Sequence, residues 1–390
     1  MNKVLQIFNR LAFIRENKST KVYDNAFQGE LLNACMNSGT ARNCIDKRAS
    51  YIYGKGFSDE LVAKDKANPK QTYNKFLADT SNNVGLFKTV SWVVKIDNRG
   101  EPIYIKALPT HKIQKKSNGD FIYNPTLFTD NYDIRANEEF GAYDPSALPQ
   151  ERAKQLVADM KADGGKQKGR IYYNYIKSLG SDYYCIPPSY SGIEDILTDH
   201  ELSSYELENL QNGFLPSAIL TLIGTLDDVQ EDEKTGLTEA GKVKKALAQF
   251  TAKEGGRSKL MVLTAETKEQ IPSLQQMDVG KILEGLEKIT DRIGRKVCRL
   301  FETPPVLAGY EDASILGSNQ TFKNALIGLQ HSTIKDQELI IESLNEIFPD
   351  KDFSINELKL VDYIPNEVLS QLTRTELRAL GGYEPDETTI

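Results

Sequence analysis

Long apolar runs are missing from this sequence of 390 residues. Its apolar runs extend over only a handful of residues, as at 218–223, whereas a membrane-spanning helix needs about 20. Residues 1–17 carry charges throughout and contain no clear cleavage site, so they predict a short amphipathic helix rather than a signal peptide. No membrane partner is therefore expected.

Cysteine and histidine are scarce, and their spacing fits no familiar metal site. The four cysteines show no CxxC pattern, and only three histidines could help to complete a zinc site. These residues are Cys35, Cys44, Cys185, Cys298, His111, His200 and His331. We predict free thiols in a reducing compartment and expect neither a metal ion nor a cofactor. His200 falls on the apolar face of a predicted helix, which favours packing over general-base catalysis.

Catalytic motifs are absent as well. The sequence has no GxSxG, HExxH, Walker A or EF-hand motif and no GxGxxG after a strand. The basic loop GGKQKGR at 164–170 lacks the strand context and the GK[ST] ending of a phosphate-binding loop. Glu311 and Asp312 could share a proton or bind a divalent ion, although adjacent acids in a loop are more often solvated. They are the weak nominees for a carboxylate-based enzyme.

The chain is moderately acidic overall, and its charge is unevenly distributed. Charged residues make up 26% and hydrophobic residues 39% of the chain, which is ordinary for a globular protein. The net charge of −7 argues against a general basic surface that grips nucleic acid. Residues 178–233 contain twelve acids and no lysine or arginine. This stretch is either a solvated helix face with an acidic loop or a surface that repels anions.

Hydrophobic periodicity predicts an α+β protein. Period-2 runs predict β-hairpins at 88–108 and 112–123 and strands at 170–177, 214–223 and 258–264. Helical spacing predicts helices at 24–53, 71–81, 149–161, 191–210, 238–252, 278–301 and 319–347, followed by a short β-run at 353–361. A helix near 373–381 begins with Thr373 and Glu376 at capping-box spacing.

The helix at 278–301 has the clearest pattern. Its apolar residues are spaced 4, 3, 4, 4 and 3, which gives one continuous stripe flanked by many cations. The helix at 191–210 is acidic instead, and a strand–helix–strand excursion separates the two. If the helices pack as neighbours, within one chain or between copies, their charges attract, but apolar packing must hold them together.

The segment LFETPPVLAGYEDASILGSNQ at 300–320 interrupts two long helices. Pro304 and Pro305 stop the first helix, Gly309 and Gly317 allow flexible ends, and Ser318 or Asn319 can cap the next helix. A loop of this length inside a compact protein is usually functional or disordered.

Four motifs in this order resemble the portal, or connector, proteins of tailed bacteriophages. They are the hairpin NNVGLFKTVSWVVKIDNRGEPIYIKALP, the helix end NGFLPSAIL, the segment LFETPPVLAGYEDASILGSNQTFKNA and the C-terminal LTRTELRALGGYEP. Together they cover roughly residues 70–385. The helix at 149–161 and the basic loop after it match nothing in this pattern.

The resemblance implies a division of the chain into portal domains. A wing domain would comprise residues 1–187, with its C-terminal part and a long helix at 320–365. Stem helices at 188–212 and 276–301 would flank a clip domain at 213–275. Residues 302–319 would form the tunnel loop that projects into a channel, and 366–390 would be a very short crown-like segment.

The resemblance also implies roles for individual residues. Those expected to face the DNA channel are Val306, Gly309, Tyr310, Glu311, Asp312, Ser314, Gly317, Asn319 and Lys323. Those expected between neighbouring stems are Glu194, Asp195, Asp199, Glu201, Lys288, Arg292, Arg295 and Arg299. An acidic wall would let DNA slide, because each neutralised phosphate adds affinity and hence friction.

The expected function is that of a non-enzymatic virion protein. A ring of such subunits, typically twelve, would sit at one capsid vertex after assembly in the host cytoplasm, and double-stranded DNA would be packaged and ejected through it. Its further partners would be a terminase, the capsid or scaffold protein and a head-completion adaptor. The alternatives are another virion or tail adaptor built on a similar helical core, and the carboxylate-based enzyme.

Overall fold

A computed structural model describes residues 14–17, 20–178, 181–212, 218–223, 260–265, 279–310, 319–356, 358, 373, 375 and 376. The chain forms two compact units. Unit 1 comprises Met1–Ile193 and Arg295–Ile390, and unit 2 comprises Glu194–Gly294. No helix among the described residues is long and apolar enough to cross a membrane.

The fold is mixed α+β with small sheets. The helices are α1 (Ala26–Asn37), α2 (Gly39–Tyr53), α3 (Glu60–Lys64), α4 (Tyr73–Phe87), α5 (Pro149–Ala162), α6 (Ile193–Asn212), α7 (Val279–Leu300) and α8 (Asn319–Ile347). The strands are β1 (Ile14–Asn17), β2 (Thr20–Tyr23), β3 (Lys66–Asn68), β4 (Gln71–Thr72), β5 (Thr89–Ile96), β6 (Pro102–Ala107), β7 (Ile113–Lys115), β8 (Phe121–Tyr123), β9 (Glu138–Phe140), β10 (Arg170–Tyr175), β11 (Ala218–Ile223) and β12 (Leu260–Ala265).

Two three-stranded antiparallel sheets form the centre of unit 1. One has the order β10-β5-β6 and the other β7-β8-β9. Because successive side chains of a strand point to opposite faces, β5 contributes to two cores. Trp92 and Val94 pack with residues of α4 and α8, whereas Val93 packs with residues of the second sheet, such as Phe121. The indole of Trp92 is fully buried and donates to Thr80 of α4 over 3.1 Å.

Both predicted hairpins are confirmed: β5 pairs with β6 and β7 with β8, each antiparallel. The strands β11 and β12 pair in parallel, as a strand–helix–strand unit requires. The helix predicted between them at 238–252 lies outside the described residues. Helices α5, α7 and α8 begin and end within two residues of their predicted bounds.

Four helical predictions need correction. The amphipathic helix predicted at 1–17 is, in its described part, the strand β1, which pairs with β2 in an antiparallel hairpin. The single helix predicted at 24–53 is two helices, because Ser38 has an extended backbone and its side chain accepts from the Ala41 N–H to cap α2. The helix predicted at 71–81 continues to Phe87 and ends at Lys88, whose φ is 54°. The acidic helix begins at Ile193 rather than at 191, because a 3₁₀ turn precedes it. It continues to Asn212, two residues beyond the predicted end.

Of the β-run predicted at 353–361, the described part forms one bridge between Ile355 and Phe57. The capping box is confirmed at Thr373 and Glu376, where each backbone N–H donates to the side chain of the other residue, over 2.8 and 3.4 Å.

Candidate functional site

The segment that follows α7 belongs to unit 1, where it turns sharply and then packs against α2 and α8. Phe301 is buried, and Glu302 has a left-handed backbone with φ of 52°. A non-glycine residue in this conformation costs of order 1–3 kcal/mol and persists only where its surroundings fix it. Pro305–Ala308 then form a 3₁₀ turn that ends at Gly309, whose φ is 93°. The predicted loop is therefore regular turn structure in its first part.

A buried ion network surrounds the start of this segment. Arg48 of α2 is 1% exposed, and it donates to Asp336 of α8 over 2.6 Å. Asp336 is 0% exposed and also accepts from Lys88 over 2.7 Å. Arg48 further donates to the carboxylate of Glu302 over 3.0 Å and to the carbonyl of Phe301 over 2.9 Å. This network joins α2, the end of α4, α8 and the first residues after α7.

The electrostatics of the network are balanced. Burial lowers the pKa of Lys88, and the neighbouring Arg48 lowers it further, whereas Asp336 raises it. A buried charge is tolerated only when opposite charges and hydrogen bonds satisfy it. Asp336 does this for both cations, so removing its charge would leave two cations without their buried counterion.

A second contact anchors the far end of the docked segment. The hydroxyls of Tyr310 and of Thr40, in the first turn of α2, are 2.7 Å apart. Val306 and Tyr310 are half-buried, and Gly309 is exposed. The segment 302–310 is therefore attached to α2 of the same chain at both of its ends, through Glu302 and Tyr310.

The other residues predicted for the channel are only partly described. Glu311, Asp312, Ser314 and Gly317 lie outside the described residues, as does Ser318. Asn319 is the first residue of α8, and Lys323 is half-buried in its first turn. That these positions face DNA stays a prediction.

The residues predicted for the stem lie on α6 and α7. Within unit 2, the hydroxyl of Thr290 on α7 donates to Glu206 on α6 over 3.1 Å, so the two helices are neighbours as expected. Asp199 is buried, Asp195 and Arg295 are half-buried, and the exposed ones are Glu194, Glu201, Lys288, Arg292 and Arg299.

The apolar stripe of α7 becomes more exposed toward its N-terminus. Val297 is 0% and Ile293 5% exposed, whereas Ile289 is 39% exposed. Lys288 pairs with Glu284 one turn earlier on the same helix. Toward its N-terminus, α7 therefore exposes part of its apolar stripe as well as charged side chains.

Neither a metal site nor a disulfide is formed by the described residues. No group of three or more His, Cys, Asp or Glu residues in the described ranges is arranged to hold a metal ion. None of the four cysteines forms a disulfide, and all four are buried. His200 is half-buried, and His111 is a half-buried ring whose pKa falls to about 4, chiefly through burial and also through Lys112.

The ion network was missed at the sequence level, although a signal existed. Arg48 falls in the apolar stripe of α2, between Ile45 and Ile52, and Asp336 falls in that of α8, between Leu329 and Ile340. A charged residue in an apolar stripe predicts a buried charge with a partner. The identity of that partner cannot be read from one helix alone.

Known structures share this fold. A chain of the neck of a native gene transfer agent (GTA) particle, computed with C12 symmetry, is similar at a TM-score of 0.54 and 11% identity, over 98% of this chain and 98% of that one. A chain from the virion of a native GTA particle is similar at a TM-score of 0.53 and 12% identity, over 98% of this chain and 99% of that one.

A portal protein of the HK97 phage family from Corynebacterium diphtheriae matches at 12% identity, over 85% of this chain and 98% of that one, with a TM-score of only 0.41. No protein-family model and no curated protein matches the sequence. At these identities, the two GTA matches show that the fold is shared over nearly the whole chain.

Proposed function

We propose that this chain is the subunit of a portal-type ring, a non-enzymatic virion component through which double-stranded DNA is packaged and ejected. The observation that supports it best is the fold shared, over 98% of this chain, with a chain of a particle neck computed with C12 symmetry. The motif order noted in the sequence supports the same role independently. Terminase, capsid or scaffold protein and a head-completion adaptor are the partners that this role implies.

In this proposal the ring closes through the stem helices. A ring needs heterologous contacts, in which one face of a subunit meets a different face of the next. The acidic α6 and the basic α7 offer such faces, with Glu194 and Glu201 exposed on one and Arg292 and Arg299 exposed on the other. Exposed apolar side chains, including Ile289 on α7 and Leu197 and Tyr205 on α6, supply area that a neighbouring copy would bury.

The proposed tunnel loop is the segment 302–319. Its first residues are tied to unit 1 by Glu302 and Tyr310, which would fix the point from which the remainder projects. The acids Glu311 and Asp312 would then repel phosphate, so that a moving duplex is not retained. The wing, clip and crown-like divisions of the chain belong to the same proposal.

Size-exclusion chromatography with light scattering and negative-stain microscopy test the proposal. One chain has a mass of 43.7 kDa, so twelve copies give a closed ring on the order of 500 kDa. We expect class averages to show a ring with a channel wide enough for a duplex. A ring with a narrower hole would favour the adaptor alternative, and a protein that stays monomeric at high concentration would contradict both.

A further inference from the structure

The outer edge of β10 is only partly paired. In the register with β5, the residues Arg170, Tyr172 and Asn174 alternate with Ile171, Tyr173 and Tyr175. The Ile171 N–H donates to Gly141, and its carbonyl accepts from Tyr143, so this set points away from β5. Backbone N–H and carbonyl groups of successive residues in a strand point alternately to its two sides. The N–H and carbonyl of Tyr173, two residues after Ile171, therefore also point away from β5. They have no backbone partner in the part of the chain that the structure describes.

The sequence explains why the edge stays open. Gly141–Tyr143 run parallel to β10 and bridge it at Ile171. Continuing this pairing would require residue 145 to donate to the Tyr173 carbonyl, but residue 145 is proline and has no N–H. The chain turns away instead, because the Asp144 carboxylate accepts from the N–H and hydroxyl of Ser146. The parallel pairing of Gly141–Tyr143 with β10 therefore stops at Ile171 and does not reach Tyr173.

A cavity of about 300 Å³ lies beside this edge. Its volume is at the lower end of the range for ligand clefts. The residues that shape it include Phe121, Ala142, Tyr143, Tyr173, Asn174 and Glu346. One wall belongs to the β7-β8-β9 layer, through Phe121, and the opposite wall belongs to α8, through Glu346. A strand entering here would point alternate side chains to an aromatic wall and to a polar wall.

Charge determines which peptide fits. Among the described lining residues, Glu346 is the ionisable one with a carboxylate, and it accepts from the Tyr172 hydroxyl over 2.7 Å. Arg170, the cation of β10 itself, donates to the Ala142 carbonyl and is held by both carboxylate oxygens of Asp159 over 2.8 and 3.0 Å. Lys115 lies over the ring of Tyr173, 4.6 Å from its centroid, and is not among the residues that line the cavity. A cationic side chain near aromatic rings and a carboxylate gains both cation–π and ionic attraction.

We propose that the edge of β10 at Tyr173 and the cavity beside it form a docking site for an extended segment of another protein that carries arginine or lysine. The segment adds to the sheet as a strand, through the unpaired backbone groups of Tyr173. One of its cationic side chains lies against Glu346, and the neighbouring apolar side chains lie against Phe121 and Tyr173. The site does not depend on the stem helices.

Fluorescence anisotropy of the full-length protein tests this with a fluorescein-labelled, N-acetylated peptide Thr-Val-Arg-Val-Thr. We expect binding that weakens about threefold to fivefold when glutamate replaces the arginine of the peptide or when Glu346→Gln is introduced. Glu342→Gln, an exposed position one turn earlier on α8, is the matched control and should leave the affinity unchanged. Ala142→Trp should fill the cavity and abolish binding, with circular dichroism showing that the variant is folded.

Two N-methylated peptides distinguish strand pairing from capture of a cation. Only alternate amides of an added strand face the edge. One peptide is methylated at the two valine amides and the other at the arginine amide. Because only one of these sets faces the edge of β10, we expect one peptide to bind about tenfold more weakly and the other to bind as tightly as the unmethylated peptide. Equal tolerance of both patterns, competition by arginine amide as strong as by the peptide, or no binding at all would overturn the proposal. Loss of self-assembly in Ala142→Trp would also overturn it, because the groove would then be a contact between copies.

Discussion

At the scale of single residues, the most unusual feature is a carboxylate that is fully buried between two cations. Asp336 is 0% exposed and contacts both Arg48 and Lys88. Arg48 in turn fixes Glu302, the residue with which the docked segment begins. One buried cluster thus determines both the packing of α8 and the start of the segment proposed as the tunnel loop.

We expect Asp336→Asn to destabilise the protein by about 3–5 kcal/mol, because it removes the buried counterion of Arg48 and Lys88 and leaves them only the half-exposed carboxylate of Glu302. The free energy of unfolding in urea measures this. Asp46→Asn is the control, since the pair of Asp46 with Arg42 is about half exposed and should contribute no more than about 1 kcal/mol. An equal loss in the free energy of unfolding for the two variants would contradict a buried ion network.

His111 should make the stability depend on pH. Burial, assisted by Lys112, lowers its pKa from 6.5 to about 4 in the folded protein. Between these values the unfolded chain binds more protons than the folded one, so stability is full above pH 6.5 and is lost as pH falls toward about 4. The loss is about 3 kcal/mol at about 1.4 kcal/mol per pKa unit.

Urea unfolding at several pH values measures the contribution of His111. His111→Gln should flatten the slope between pH 6.5 and 4, whereas the same change at exposed His331 should keep it. A slope that His111→Gln does not alter would assign the effect to another group.

At the scale of elements, the long helices α7 and α8 and the two β-hairpins were the most predictable parts of the chain. The stripes of α7 and α8 are long and regular, so the sequence predicted their bounds closely. The break at Ser38 could not be predicted from periodicity, because α1 and α2 keep apolar residues in helical spacing on both sides of it. The pairing of β10 with β5 was also beyond the sequence, since no local signal states which distant strand completes a sheet.

The candidate site was predictable only in outline. Pro304 and Pro305 correctly located the end of α7, and glycine correctly indicated a turn at Gly309. The docking of residues 302–310 depends on Arg48 and Thr40, which are more than 250 positions away, as the separations of 254 and 270 show. Such contacts are set by the whole fold rather than by the segment.

The end of α7 should be close enough to α2 for a cysteine crosslink. The Sγ atoms of Cys44 and Cys298 are 3.8 Å apart, and both side chains are buried. We expect copper–phenanthroline to join them, with the loss of two hydrogen atoms seen by mass spectrometry of peptides. Cys35 and Cys185 should stay free, and a crosslink that includes either of them would contradict the packing described here.

The hydrogen bond between Tyr310 and Thr40 should restrain the docked segment locally. Tyr310→Phe removes one neutral hydrogen bond, so we expect the global stability to fall by no more than about 1.5 kcal/mol. Limited proteolysis should nevertheless cut between residues 302 and 319 several times faster than in the unmodified protein. Tyr132→Phe, at an exposed position, is the control, and equal cleavage rates in both variants would show that Tyr310 is not an anchor.

At the scale of the whole molecule, charge reversal tests the proposed ring. Glu194→Lys on α6 and Arg292→Glu on α7 each place like charges on the proposed faces, so each should weaken assembly. The double variant restores opposite charges and should recover ring formation in part, as native mass spectrometry would show. If the single variants assemble as well as the unmodified protein, these helices do not form the interface between subunits.

The order in which unit 1 is completed has a consequence for its synthesis. Its sheet and helices α1–α4 come from the first half of the chain, but their core is closed by α8 and by the bridge between Phe57 and Ile355. At ribosomal rates of about 5–20 residues per second, the second partner of that bridge is made roughly 15–60 s after the first. During that interval Trp92 and Phe76 lack the α8 side of their core, whereas both strands of the β11-β12 pair of unit 2 are made before α8. The nascent chain therefore exposes apolar surface for most of its synthesis, and chaperone binding should end only when α8 has left the ribosome.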